Sequence, residues 1–313
     1  MSLSALIAAL LLEQLKPLSK YLYGWLPGYV DHFQHHFNSG EYHHGRTAWW
    51  LAVLPVVAGG VLVFQGLHYL HPIFAWAFNV VVLYLSMGFR QFSRGFTEIQ
   101  QALRMAHLDE ARKLLSALRG RASDELNAEE VARVTIETSL IAALHHLFGV
   151  VVWFVLFSLL GLGGAAGAVL YCLGLAMGMH WQDELNAEDS GEARFDGFAR
   201  KMRYRLEWLP IRLTSATFAI VGNFEDTVYC WRSQAASWPD SELGILLASA
   251  AGASGVRLGS PIRQDGALLD RPELGVGNKS GDAALFCASR LVWRSSVVML
   301  VVLFMLTLAG LLG

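Results

Sequence analysis

The sequence predicts an all-α, polytopic membrane protein with about five transmembrane helices, and three observations carry that reading. More than half of the 313 residues are apolar (54%) and only 16% are charged, too little polarity to cover a soluble body of this size. The apolar residues gather in runs that suit a bilayer core of about 30 Å, which takes about 20 helical residues to cross. All 24 Lys and Arg lie outside those runs.

Taken in order, the chain opens on a short apolar stretch, Ser4–Leu12, interrupted by Glu13 and followed by Lys16-Pro17. No basic region precedes it and no small-residue cleavage site follows, so it reads as a retained, interfacial or half-buried helix rather than a leader. Thr47–Leu67, Pro72–Phe89, Leu140–Leu162 and Ser295–Leu312 are the clearest spans. Gly163–Trp181 is a fifth, rich in glycine, which suits close helix approach inside a bundle.

Basic residues set the orientation. Segments 1–46, 90–139 and 182–294 carry three, eight and thirteen Lys and Arg, and the links Gly66–His71 and Gly161–Gly164 carry none. The three basic segments are therefore expected in the cytoplasm, and Gly313 outside, in a bacterial inner membrane. The division that follows is a cytoplasmic or interfacial segment (1–46), two spans (47–89), a helical loop (90–139), two spans (140–181), a cytoplasmic region (182–294) and a last span (295–313).

Within the first loop, Arg94–Leu118 has helical periodicity broken at His107-Leu108-Asp109, and Asn127 with Glu130 forms a capping-box pattern leading into the third span. In the second, 186–207 reads as a charged linker and amphipathic helix. Trp208–Gly222 is too short to span and reads as a separate buried or re-entrant helix. Asp240–Ser289 is punctuated by Gly and Pro, suiting a turn-rich surface or a ligand cradle.

Charge and cysteine exclude several functions. A net charge of −2 gives no attraction to nucleic acid. Cys172, Cys230 and Cys287 have neither metal-ligand spacing nor a disulfide pattern, and read as reduced thiols. His32, His35 and His36 would share one helix face, with His43-His44 close behind. Three imidazoles can bind zinc, but the spacing matches no zinc motif and the surroundings are aromatic. They are the only weak metal candidates, and an interfacial aromatic surface is expected instead.

Glu137 and His145 are stronger candidates, because ionisable groups in a membrane helix are costly and need partners. His146 adjoins the second, and two turns of helix separate it from Glu137; the alternative places them at headgroup level. The runs Gly252-Ala-Ser-Gly255 and Gly275-Val-Gly-Asn-Lys-Ser280 do not have the spacing of a phosphate loop.

Several segments together resemble the CobD/CbiB superfamily, which includes the AmpE proteins. Arg121 through Glu137-Thr138, with Leu126 and Arg133, is similar to the stretch leading to that family's Glu-Thr. Ala251-Gly-Ala-Ser-Gly-Val-Arg-Leu-Gly259 resembles its Ala-Gly-Ala-Leu-Gly-x-x-Leu-Gly, and Gly266, Asp270, Pro272 and Gly275 follow at the family's spacing. The resemblance covers most of 90–294. It implies an ATP- and Mg²⁺-dependent amide synthesis joining an aminopropanol or its phosphate to adenosylcobyric acid.

The polar residues that look catalytic in that family are largely replaced. Ile141, Ala142 and His145 stand where the family has Glu-Asn and then Asp. No Asn or Asp occurs in Ala165–His180, the place of its Asn-Thr-Leu-Asp-Ser. Arg203, Tyr204 and Glu207 occupy its Asp-Asp-x-x-Asn run, and Gly259-Ser260 and Gln264 replace its Gly-Gly and Tyr. These departures look like AmpE, as do Glu207-Trp-Leu-Pro-Ile-Arg-Leu213, Gly222, Glu225, Trp231, Gly45-Arg46-Thr47 and Leu12-Glu13.

The expected role is that of an AmpE-like inner-membrane sensor or modulator, with no cofactor. Its partners would be the lipid bilayer and a small ligand or membrane protein. The alternative is an active, divergent amide synthetase using ATP and Mg²⁺; a transporter is third, since the spans lack paired polar breaks. Glu137, His145, Arg212, Gly252, Gly255, Gly259 and Asp270 are the binding candidates. Glu137, Arg212 and the loops from Gly252 to Gly275 are expected to meet at one cytoplasmic face, with Arg212 the residue able to pair with Glu137 through a two-pronged hydrogen bond.

Overall fold

A computed structural model describes residues 2–15, 26–37, 42–184, 195–264, 266–277 and 281–312. Residues 278–280 of the Gly-Asn-Lys-Ser run, Lys16-Pro17, positions 186–194 of the expected linker and Gly313 lie outside them. The chain runs through α1 (Ser2–Leu15), α2 (Leu26–Phe37), α3 (Tyr42–Leu70), α4 (Pro72–Ser86), α5 (Phe89–Arg104), α6 (Leu108–Arg119) and α7 (Ala128–Ala143). A π turn, Leu144–Phe148, leads into α8 (Gly149–Leu159), followed by α9 (Gly164–Glu184), α10 (Phe195–Val221), α11 (Phe224–Gln234) and α12 (Ser241–Ser254). The short strands β1 (Leu258–Gly259), β2 (Ile262–Gln264), β3 (Ala267–Leu269) and β4 (Glu273–Leu274) precede α13 (Gly281–Leu312).

Among the described residues, four helical stretches are long and apolar enough to cross a bilayer: Tyr42–Leu70, Ala128–Leu159, Gly164–Trp181 and Ala283–Leu306. The fold is all-α and polytopic. The expected second span ends early. α4 has 15 residues, about 22 Å at the helical rise, because Met87 turns to extended backbone (φ −86°, ψ 128°). Its start is fixed by Pro72 at the first helical position and by His71 Nδ1, which accepts the Ile73 N–H at 3.2 Å.

Two compact units form, one from residues 1–88 and 145–210, the other from 89–144 and 211–313. In the first, α9 packs on α3, α4 and α8. Its glycines admit those neighbours: a methyl on Gly167 would strike the Trp153 carbonyl oxygen, and one on Gly174 the Leu206 side chain. Asn79, buried in α4, accepts the N–H of Ala165 at 3.0 Å, so the start of α9 does not leave an apolar environment facing a bare donor.

α10 corrects an expectation. Trp208–Gly222 is not a separate short element but the second half of one 27-residue helix. Pro210 lies inside it and cannot donate to the Leu206 carbonyl. The indole N–H of Trp153 takes that place at 2.9 Å, which lets the helix continue through the proline.

In the second unit, α5 and α6 form a hairpin around the His107 break, and Ile99, Ala102, Ala111, Leu115, Leu126, Val131, Val134 and Ile262 form its buried core. The α7 start is a complete capping box: Asn127 Oδ1 accepts the Glu130 N–H at 2.9 Å, and Glu130 Oε2 accepts the Asn127 N–H at 2.8 Å. α11 and α12 pack so tightly that a methyl on Gly252 would strike the Asp226 carbonyl oxygen. The Gly-rich segment is not simple loop. β1 pairs antiparallel with β4 (Leu258 opposite Leu274), and β2 with β3 (Ile262 opposite Leu269).

Candidate functional site

In the second unit, Glu137 sits on the last turns of α7 and is 7% exposed, as is appropriate only for a carboxylate with partners. It has two. Oε2 accepts Arg271 Nη1–H at 2.6 Å and Oε1 accepts the Gly259 N–H at 2.7 Å. Arg271, 9% exposed, also donates through Nη2 to the carbonyl of Gly259 (3.1 Å) and through Nε to that of Ser260 (3.2 Å). It also lies over the Trp238 ring, 5.6 Å from its centroid. Arg133, one turn before Glu137 on α7, donates to the Gly259 carbonyl at 3.2 Å.

Gly259 is thus the hub, and its backbone explains why it is glycine. Its φ is +75°, and a methyl would strike the Pro272 carbonyl oxygen. Gly255 ends α12 in the same left-handed region at φ 66°. Gly252 serves a different contact, the packing of α12 on α11 at Asp226. Asp270, next to Arg271, is exposed.

The expected Glu137–Arg212 pair does not form. Arg212 makes its two-pronged contact with Glu242, at 2.6 and 3.2 Å, because Asp240 caps α12 and turns Glu242 in its first turn toward α10. A guanidinium fork was the right partner type for Glu137, but Arg271 supplies it.

In the first unit, His145 opens from the π turn, a widening often found where a helix places a functional side chain. Its Nε2 donates to Glu207 Oε1 at 2.7 Å, with the two side chains 7% and 1% exposed. Arg203, one turn earlier on α10, faces the other carboxylate oxygen at 3.6 Å. These three residues stand at positions where the resemblance places the family's acidic and amide groups. Mg²⁺ takes oxygen ligands, commonly carboxylates, in octahedral geometry. Here the set holds one carboxylate, already claimed by a histidine and an arginine, and the donor set does not fit that ion.

The N-terminal histidines lie on α2 as an aromatic surface. The His32 and His36 rings are 4.2 Å apart, and Tyr29–Phe33 and Phe33–Phe37 continue the ring contacts. His35 is exposed on the same helix. Among the described residues no three His, Cys, Asp or Glu side chains are grouped to hold an ion.

Arg271 and Glu242 were not singled out from sequence. Arg271 adjoins Asp270 and Pro272 of the resembling motif, the one signal that could have flagged it.

A membrane-crossing helical bundle with buried ion pairs and a glycine-built centre defines an integral membrane protein of the kind the motifs implied. Residues 6–292 match the family described as CobD/Cbib protein, and the chain belongs to that family. It is 33% identical to the cobalamin biosynthesis protein CobD of Stutzerimonas stutzeri, over 88% of this chain and 87% of the relative. It is 28% identical to the cobalamin biosynthesis protein CbiB of Salmonella typhi, over 86% of this chain and 83% of the relative. No solved structure matches.

Proposed function

We propose that this chain is an inner-membrane member of the CobD/CbiB family that no longer forms the amide bond and acts as an AmpE-like envelope sensor or modulator. The observation that supports the reading is the His145–Glu207–Arg203 set. Positions that by resemblance would hold two acidic groups and an amide carry a histidine, an arginine and a single carboxylate that engage one another, with Glu207 Oε1 2.7 Å from His145. A carboxylate committed in this way, buried from water, is not available to a divalent cation and its phosphates. The apolar Ile141 and Ala142, with Ala142 buried beside the π turn, offer nothing in its place.

A second reading has its own support. The breadth of similarity to relatives named for cobalamin biosynthesis, 88% of the chain in one case, favours an active, divergent synthetase working with ATP and Mg²⁺. Complementation separates the two. In a strain lacking its own CobD/CbiB enzyme, this gene is expected not to restore cobalamin-dependent growth. Restoration would overturn the non-enzymatic reading.

A further inference from the structure

In the second unit, α5 and α13 both pack on α7, and the three helices leave a crevice between them. It encloses about 440 Å³, its open mouth included. Each helix turns one face to it: Ser93 and Phe96 from α5, Ile136 and Ser139 from α7, Ser289 and Trp293 from α13, at the three- and four-residue spacings that share a face. The rest of the lining is aliphatic.

The walls fix the height of the crevice in the bilayer. α7 and α13 belong to the membrane-crossing stretches Ala128–Leu159 and Ala283–Leu306, and the lining residues fall in the opening turns of each. Beyond Glu137 in the one and Arg294 in the other, neither stretch carries another Asp, Glu, Lys or Arg. The crevice therefore stands where headgroups give way to hydrocarbon. Trp293, 56% exposed, is a residue type that settles at that boundary.

Ser139 shows what the crevice takes. Thr135 and Thr138, on the same helix, each donate to the carbonyl four residues back, at 2.6 and 2.8 Å, the usual resort of a helical hydroxyl. Ser289 donates to the Phe286 carbonyl at 3.1 Å. Ser139 Oγ, in contrast, is buried and has no hydrogen-bond partner. A buried hydroxyl left unsatisfied is costly, so an occupant that fits these walls is largely apolar and carries one acceptor at this height.

We propose that the crevice holds one acyl chain of an anionic glycerophospholipid, with the chain against Phe96 and Ile136 and its ester carbonyl accepting the Ser139 hydroxyl. The ester of such a lipid lies at the same boundary between headgroup and hydrocarbon. Arg290 and Arg294, exposed on α13 beside Ser289 and Trp293, supply the positive charge that draws an anionic headgroup. Arg94 on α5 is followed one turn later by the exposed Glu98, so the excess charge is that of α13. A helix from a second copy, about 10–12 Å across, is too broad for this space, whereas a hydrocarbon chain is slender enough. The inference goes beyond the sensor and synthetase readings, neither of which uses these residues.

The test reconstitutes the full chain into vesicles of phosphatidylcholine with a minor fraction of phosphatidylglycerol. The protein is then extracted in a neutral detergent, washed, and its retained lipid identified and counted by mass spectrometry. One phosphatidylglycerol per chain is expected, against the excess of phosphatidylcholine. S139L, which fills the crevice, should abolish retention. S139A, which removes only the hydroxyl and does not risk overpacking, should weaken it about fivefold, the scale of one hydrogen bond. R290Q and R294Q, at exposed positions, should each cost about fivefold, and the pair should erase the preference over phosphatidylcholine.

Retention of the two lipids in the vesicle ratio overturns the site, as does a free fatty acid or no lipid at all. Retention indifferent to both serine variants overturns the crevice even if the arginine variants act, and retention indifferent to R290Q/R294Q overturns the anionic headgroup. The complementation experiment is independent of each of these results.

Discussion

Replacing Glu137 by Gln removes one negative charge and almost no volume, so its effect isolates the electrostatics of the centre. The carboxylate now accepts two short hydrogen bonds, from Arg271 at 2.6 Å and Gly259 at 2.7 Å. A glutamine keeps one acceptor oxygen and turns an NH₂ group on the other donor. Arg271, 9% exposed, would then be a buried cation without a counterion. Breaking a buried pair from one side costs about 3–5 kcal/mol, more than a single neutral hydrogen bond. At about 2–4 °C per kcal/mol for a unit of 150–250 residues, melting should fall by roughly 10 °C.

The ten tryptophans make intrinsic fluorescence during thermal unfolding in detergent a direct assay. R271Q alone should be comparably destabilising, and the E137Q/R271Q double variant should lose less than the sum of the two, with a coupling of about 2 kcal/mol. A melting point for E137Q within 2 °C of the parent, or strictly additive losses, would refute the reasoning.

Two further outcomes follow from the backbone and the charge distribution. Gly120 and Gly259 both have positive φ, but a methyl at Gly120 meets nothing within 4 Å whereas one at Gly259 strikes Pro272; Gly120→Ala should therefore cost about 1–2 kcal/mol and Gly259→Ala about 2–5 kcal/mol by thermal melting. The positive-inside rule expects the basic segments on the cytoplasmic side, so a cysteine placed near Arg200 should react only when a membrane-permeant reagent is used; labelling by an impermeant reagent in intact spheroplasts would overturn that orientation.

The all-α, polytopic class was legible because apolar runs are local properties, and so was the Asn127–Glu130 box, whose partners are three residues apart. The centre was only half legible. Its need for an arginine followed from a carboxylate entering a membrane helix, but the choice of Arg271 depends on a contact across 134 positions. Arg212 has an equally suitable fork, and only the tertiary fold directs it to Glu242. Strands of two or three residues are too short to show alternation, which is why the Gly-rich segment read as loop. The continuity of α10 was hidden for another reason. Its proline is accommodated by Trp153, a residue 57 positions away in chain order on α8.

The two compact units interleave along the chain, each assembled from two separated stretches, 1–88 with 145–210 and 89–144 with 211–313. During synthesis the first unit stays incomplete until residue 210 has been made, by which time the first stretch of the second, about a third of it, is waiting for its remainder. Neither unit is a contiguous product, so nascent helices must be held in the bilayer unfinished. Gene truncations at residues 144 or 210 would leave at least one partial unit each. Deletion series of this protein will consequently report on biogenesis before they report on function.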